Sequence, residues 1–134
     1  MTVDLRRRFV VSERSMAPAL LPGAELLATP AVAPGRGAVV FFTDPTRDDE
    51  FWLVKRVVGL AGETVTIAHG DVLIDDTPYD DPWTVDDTAP DGVWKVPTGH
   101  VFVLSDARHR SSADSRRFGP VPLAGAFQLD DGAS

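Results

Sequence analysis

The length, composition and charge of the chain limit its function before any motif is considered. Its 134 residues suffice for one domain with its own hydrophobic core, predicted at residues 1–134 with a core from about 8 to 129. A net charge of −7 disfavours nucleic acid as a partner, and the lack of cysteine excludes disulfide bonds and thiol catalysis. The three histidines are too dispersed for a metal site, so no metal or cofactor is expected.

Short apolar runs between turns rich in glycine and proline predict a mostly β fold of antiparallel strands with little helix. In chain order, the predicted strands cover residues 25–28, 38–42, 51–58, 64–67, 72–74 and 101–104, and residues 125–129 close the domain. The fourth and fifth strands are expected to form a hairpin. Residues 75–91, rich in Asp, Pro and Thr, are expected to be an exposed excursion, and a long charged loop follows the sixth strand.

No apolar run approaches the roughly 20 residues that a membrane-spanning helix needs. The chain as written is therefore expected to be soluble, either cytoplasmic or peripheral at the membrane, although an anchor encoded upstream would change this expectation. The segment RRRFVV at residues 6–11 allows a weak peripheral contact with anionic lipid. The alternative, which we favour, is a charged tail that leads into the first strand.

Lys55 is an unusual residue in the predicted strand FWLVKRVV at residues 51–58. Because side chains alternate along a strand, Lys55 shares a face with Phe51, Leu53 and Val57. Burial on that face would lower its pKa from about 10.4, and a neutral lysine can act as a general base. The alternative is an edge lysine whose flexible stem carries the ammonium group into water.

Ser15 is the candidate nucleophile, within the stretch SERSMAPAL at residues 12–20. Pro18 restricts the turn, and Met16 is expected to pack beside the serine. A serine hydroxyl needs a base, and serine–lysine pairs are a known catalytic arrangement. The alternative is a plain loop between two strands, because the sequence separation of Ser15 and Lys55 does not show that they meet.

Three stretches, in this order, resemble the boxes of the signal peptidase I family of membrane-associated serine endopeptidases. SMAPAL at residues 15–20 is similar to the nucleophile box, KRVVGLAGE at 55–63 to the lysine box, and SADSRRFGPV at 112–121 to the last box. The resemblance covers about residues 8–127 and implies a β fold that binds an extended peptide along strand edges. The chain looks like short soluble-type members of some bacteria, a few of which mature the precursor of nickel superoxide dismutase.

The resemblance implies a role for each matched residue. Ser15 is the implied nucleophile, Lys55 the implied general base, and Ser112 the residue that hydrogen-bonds the Lys55 amine and orients it. The implied oxyanion hole is the Ser15 backbone amide, with Ser12 as a further donor. Implied structural ion pairs near the site involve Arg56, Asp106, Asp114 and Arg116.

The implied activity is a serine endopeptidase that cleaves signal or pro-segments of a precursor after small residues, in an Ala-x-Ala pattern, through a Ser15–Lys55 dyad and an acyl-enzyme. Two departures leave alternatives open. Glu13 stands where many members carry serine or glycine. The stretch SDAR at 105–108 replaces the usual glycine-aspartate-asparagine-arginine, and one extra residue precedes Ser112. One alternative is a catalytically impaired peptide-binding module on the same fold; the other is a self-cleaving domain of the SOS-repressor type.

Overall fold

The computed structural model describes residues 4–130, so the predicted domain extends past the described part at both ends. The described residues form eleven strands and one short helix. The strands are β1 (Arg7–Val10), β2 (Glu25–Pro30), β3 (Val39–Thr43), β4 (Trp52–Gly59), β5 (Thr64–Ala68), β6 (Asp71–Ile74), β7 (Thr77–Pro78), β8 (Gly92–Lys95), β9 (His100–Leu104), β10 (Val121–Pro122) and β11 (Phe127–Leu129). The mostly β prediction is confirmed.

The helix α1 (Ser115–Phe118) is a single turn. Asp114 caps its start, because the Asp114 carboxylate accepts a hydrogen bond from the Arg116 backbone N–H at 3.0 Å. Between residues 4 and 130, the chain has no helix with the length and apolar character to cross a membrane.

Two antiparallel sheets contain all of the described strands. The larger has the order β1-β2-β11-β3-β4-β9-β10, and the smaller has the order β7-β6-β5-β8. In β5, burial alternates along the strand, with Val65 and Ile67 buried, as expected for a strand with one face on the core. In β3, Val39 to Phe42 are all buried because both faces of this central strand are covered.

Aromatic packing places β1 against β3 and β4, two strands that pair with each other farther along the larger sheet. The Phe9 ring stacks on Phe41 with centroids 4.3 Å apart, and it meets Trp52 edge-on at 5.1 Å. Phe127 of β11 closes the same cluster at 5.8 Å from Phe9. This packing brings the segment that follows β1 close to β4, which is the arrangement on which the site depends.

The predicted strands lie within two residues of observed ones, and β5 and β6 form the predicted hairpin. The predicted tail before the first strand is itself largely β1. The prediction of an exposed excursion at residues 75–91 is wrong in part. Asp81 pairs with the buried Arg108 at 2.7 Å, Thr88 is buried, and the Trp83 ring lies 4.0 Å from the Arg56 guanidinium. These contacts hold the segment against the main sheet.

Candidate active site

Ser15 lies in a tight turn that begins where β1 ends. The base of this loop is closed by the Val11 N–H, which donates to the Ala24 carbonyl at 2.9 Å. The Ser15 carbonyl accepts a hydrogen bond from the Ala107 N–H at 2.9 Å. Met16 is fully buried, and its sulfur accepts a long hydrogen bond from the Asp106 N–H at 3.4 Å. The turn is therefore tied to the segment that follows β9.

Lys55 lies on β4 and is almost completely buried, with 1% of its surface exposed. Its Nζ donates hydrogen bonds to Ser15 Oγ at 3.1 Å and to Ser105 Oγ at 3.0 Å. Both distances are within ordinary hydrogen-bond range. The fold thus brings Ser15 and Lys55 together, the two residues that the sequence singled out, and leaves almost none of the Lys55 surface exposed.

Burial lowers the pKa of Lys55 below its ordinary value, because removal from water penalises the ammonium form. The carboxylates of Asp114, Glu13 and Asp106 act in the opposite direction, and Arg116 reinforces the lowering. Desolvation is the largest of these effects. The site therefore shifts Lys55 towards its neutral amine, which is the form that can accept a proton.

The prediction that Ser112 orients the Lys55 amine is wrong. Ser112 is exposed, and in the described part of the chain the Lys55 amine bonds to Ser105 instead. The physical reason is strand register: Arg56 pairs with Leu104 across the antiparallel β4 and β9, so the next residue after β9 lies opposite Lys55. A serine directly after a predicted strand was the signal that the sequence analysis missed.

Two ion pairs surround this arrangement. Arg56 binds Asp106 through two hydrogen bonds of 2.9 and 2.8 Å, and both side chains are buried. Arg116 binds Asp114 in the same two-pronged way at 2.9 and 2.7 Å. Asp114 also accepts the backbone N–H of Ser105 at 3.0 Å. Burial raises the pKa of Asp106, although its bonds to Arg56 partly oppose that effect.

A third buried pair was not anticipated from the sequence. Arg108 donates to Asp81 at 2.7 Å, and the two side chains are 1% and 5% exposed. Asp86 accepts the backbone N–H groups of Arg108 at 2.8 Å and His109 at 3.1 Å. The sequence did contain a signal for this pair: residues 75–91 are rich in Asp, and several arginines follow the sixth predicted strand. The pairs fasten this segment beside the site.

A small cavity of about 50 Å3 opens above Ser15 and Lys55. Its walls include Phe9 and Trp52, and residues 10–13 form one side. Ser12, the predicted further oxyanion donor, lines the cavity as an exposed residue, and so does Glu13. The described residues contain no group of three or more His, Cys, Asp or Glu side chains that could hold a metal ion.

Two strand edges border this cavity. The first half of β4, residues 52–55, pairs with β3, whereas β9 begins its pairing with β4 only at Arg56. Among the described strands, β1 pairs with β2 alone. Each strand therefore has backbone donors and acceptors that a third chain segment could use.

The fold and site define a β protein with a buried serine–lysine pair beneath a small cleft. The family described as "Signal peptidase, peptidase S26" matches residues 2–127 of the chain. The mitochondrial ATP-independent inner membrane protease subunit 1b of Arabidopsis thaliana is 34% identical over 113 residues, which cover 81% of this chain and 57% of that protein. Signal peptidase I of Leptolyngbya laminosa is 36% identical over 100 residues, covering 66% of this chain and 47% of that protein.

The crystal structure of a signal peptidase I from Enterococcus faecalis V583 matches with a TM-score of 0.62 and 26% identity, covering 74% of this chain and 97% of that one. The chain belongs to the signal peptidase, peptidase S26, family, as its three boxes predicted. It spans about half the length of the curated relatives it matches. The finer resemblance to nickel superoxide dismutase maturation proteases stays a prediction.

Proposed function

We propose that this protein is a serine endopeptidase that removes signal or pro-segments from a precursor protein, with Ser15 as nucleophile and Lys55 as general base. The observation that carries the proposal is the 3.1 Å hydrogen bond between Lys55 Nζ and Ser15 Oγ in a buried setting. That distance permits direct proton transfer. Membership of the peptidase S26 family supports the same activity. We take residues 1–134 as one catalytic domain.

In the proposed reaction, the neutral Lys55 amine takes the Ser15 hydroxyl proton while Ser15 Oγ attacks the carbonyl carbon of the scissile bond. The Ser15 backbone N–H, which has no hydrogen-bond acceptor among the described residues, stabilises the oxyanion, and Ser12 offers a second donor. The Lys55 ammonium then protonates the departing amine as the scissile C–N bond breaks, and the acyl group stays on Ser15 Oγ as an ester. Water, deprotonated by Lys55, hydrolyses the ester, and the proton returns to Ser15 Oγ as it leaves.

The shape of the cavity supports small substrate residues before the scissile bond. Aromatic rings of Phe9 and Trp52 narrow the cavity above Ser15 and Lys55, which favours a small side chain there. A substrate strand between β1 and the first half of β4 would pair with backbone on both sides. Because side chains alternate along a strand, every second substrate residue would point its side chain into the cavity, which is the basis of an Ala-x-Ala preference.

The structure of the segment before Ser15 disfavours a self-cleaving domain. Four residue pairs join β1 to β2, so the chain just upstream of the nucleophile belongs to the sheet. A bond in that segment would have to leave the sheet before it reached Ser15. The catalytically impaired binding module is the other candidate, and Glu13 at the cavity rim is the feature that favours it.

The test is cleavage of a peptide that contains an Ala-x-Ala segment by wild type, Ser15→Ala and Lys55→Ala. Either substitution should lower kcat/KM by at least about a thousandfold without unfolding the protein. Lys95→Ala is the matched control, because Lys95 is an exposed lysine on β8. Activity retained in either site variant contradicts the dyad. Wild type that binds the peptide without cleaving it identifies the impaired module instead.

A further inference from the structure

We propose that Ser105 is the residue that positions the Lys55 amine for catalysis, in place of Ser112. The inference rests on the proposed function, because positioning matters only if Lys55 is the base. Ser105 is fully buried, and its hydroxyl oxygen accepts a hydrogen bond from Lys55 Nζ at 3.0 Å. Ser112, by contrast, is an exposed loop residue.

The geometry of a neutral amine explains why this contact matters. Such an amine has two N–H groups and one lone pair, and only the lone pair can take the Ser15 proton. A hydrogen bond donated to Ser105 restricts rotation about the Cε–Nζ bond of Lys55. With one N–H held by Ser105, the lone pair of the neutral amine can accept the Ser15 hydroxyl proton, across the same 3.1 Å contact in which Nζ otherwise donates to Ser15 Oγ. Without Ser105, the amine can rotate away from the nucleophile.

Ser105 is itself held from two directions. Its backbone N–H donates to Asp114 Oδ2 at 3.0 Å, and the fully buried Asp114 is fixed by the two-pronged bond from Arg116. On its other side, Leu104 belongs to β9 and pairs with Arg56 of β4. A hydroxyl at the end of a central strand is therefore better fixed than one in the loop before α1.

Two features of the sequence account for the change of position. SDAR at residues 105–108 has serine where the pattern it resembles has glycine, so a hydroxyl is introduced at the strand end. The extra residue in the following loop accompanies the exposed position of Ser112. Serine at 105 supplies the acceptor that the loop no longer provides.

The experiment compares three single-oxygen deletions: Ser105→Ala, Ser112→Ala and Ser115→Ala. Ser115 is the matched control, because it is equally buried but its hydroxyl accepts the Val103 N–H at 2.9 Å. We expect Ser105→Ala to lower kcat/KM by about 10- to 100-fold. In a plot of kcat/KM against pH, the acid limb, where activity falls as Lys55 is protonated, should also move to lower pH in Ser105→Ala. The reason is that a hydroxyl that accepts a hydrogen bond from Lys55 favours the charged form of the amine. Ser112→Ala and Ser115→Ala should keep the acid limb at its wild-type pH and should keep the wild-type kcat/KM when activity is expressed per folded protein.

A second variant separates hydrogen bonding from packing. Ser105→Cys leaves no cavity, because a thiol is somewhat larger than a hydroxyl, but its sulfur is a weak acceptor, so activity should fall as it does in Ser105→Ala. The proposal is overturned if Ser112→Ala loses as much activity as Ser105→Ala, or if Ser105→Ala and Ser105→Cys leave both rate and acid limb unchanged.

An activity-independent measurement separates failure of this inference from failure of the proposed function. If the wild-type protein cleaves no peptide, the proposed peptidase function is contradicted. The pKa of Lys55, measured by NMR on 13C-labelled lysine, then tests the hydrogen bond between Lys55 and Ser105 without any activity assay. Lys55 and Lys95 are the only lysines in the sequence, so the two signals are readily assigned. Ser105→Ala should lower the Lys55 pKa and Ser112→Ala should not. An equal response of the two variants overturns the inference.

Discussion

Replacing Lys55 by methionine should abolish activity and give the protein a stability that differs from wild type in a pH-dependent way. Methionine has a similar length and fits an apolar slot, and only 1% of the Lys55 surface is exposed. Burial lowers the pKa of Lys55 below its ordinary value of 10.5. The unfolded chain, in contrast, titrates near the ordinary value.

The size of the effect follows from proton linkage. Between the unfolded and the folded pKa of Lys55, the unfolded state binds a proton that the folded state does not. Wild-type stability therefore falls by about 1.4 kcal/mol for each pH unit as the pH decreases through this window. The stability of Lys55→Met relative to wild type should be constant above about pH 10.5, rise as the pH falls through the window, and be constant again below the folded pKa.

Urea unfolding at closely spaced pH values from neutral to alkaline measures this difference. Lys95→Met is the matched control, since it makes the same substitution at an exposed lysine. The lower end of the slope should coincide with the acid limb of wild-type kcat/KM, because both report the same amine. A stability difference between Lys55→Met and wild type that does not vary with pH would show that folding does not lower the pKa of Lys55.

Three further changes test other parts of the site. Glu13→Gln should lower the Lys55 pKa, because the Glu13 carboxylate raises it, and a pH–rate profile should show the acid limb at lower pH; an unmoved limb would contradict this. Arg56→Met should cost about 3–5 kcal/mol in urea unfolding, because Asp106 stays buried without its cation, and replacing both residues by apolar ones should recover most of the loss. Gly59→Ala should lower stability by about 1–3 kcal/mol, because its methyl would crowd the buried side chains of Val65, Phe102 and Val96; an unchanged Tm would contradict this.

Much of the fold could be predicted because its strands carry strong local signals. The apolar runs of β3, β4 and β9 are long enough to stand out, and the alternation in β5 marks its hairpin with β6. β7 and β10 have two residues each, and β8 mixes glycine and lysine with apolar residues. Such short strands exist because neighbouring strands hold them, and no local pattern indicates that support.

Residue chemistry and the family resemblance suggested the pair Ser15 and Lys55, whereas strand register decides which further residue contacts the Lys55 amine. Lys55 stood out because it lies among apolar residues of a predicted strand, and Ser15 stood out because it lies in a predicted turn near a proline. The contact of Lys55 with Ser105 depends on which residue of β9 lies opposite β4, which the sequence does not specify. Likewise, the burial of Asp81 against Arg108 depends on a long-range return of the chain.

The most direct test of the account is the pKa of Lys55 in the folded wild-type protein. 13C-lysine NMR measures this pKa directly, because the sequence has only two lysines and the variant Lys95→Met identifies the Lys55 signal. We expect Lys55 to titrate clearly below the ordinary lysine pKa of 10.5, at the pH where peptidase activity is half-maximal. A Lys55 signal that titrates at the ordinary lysine pKa would contradict the claim that a neutral Lys55 activates Ser15.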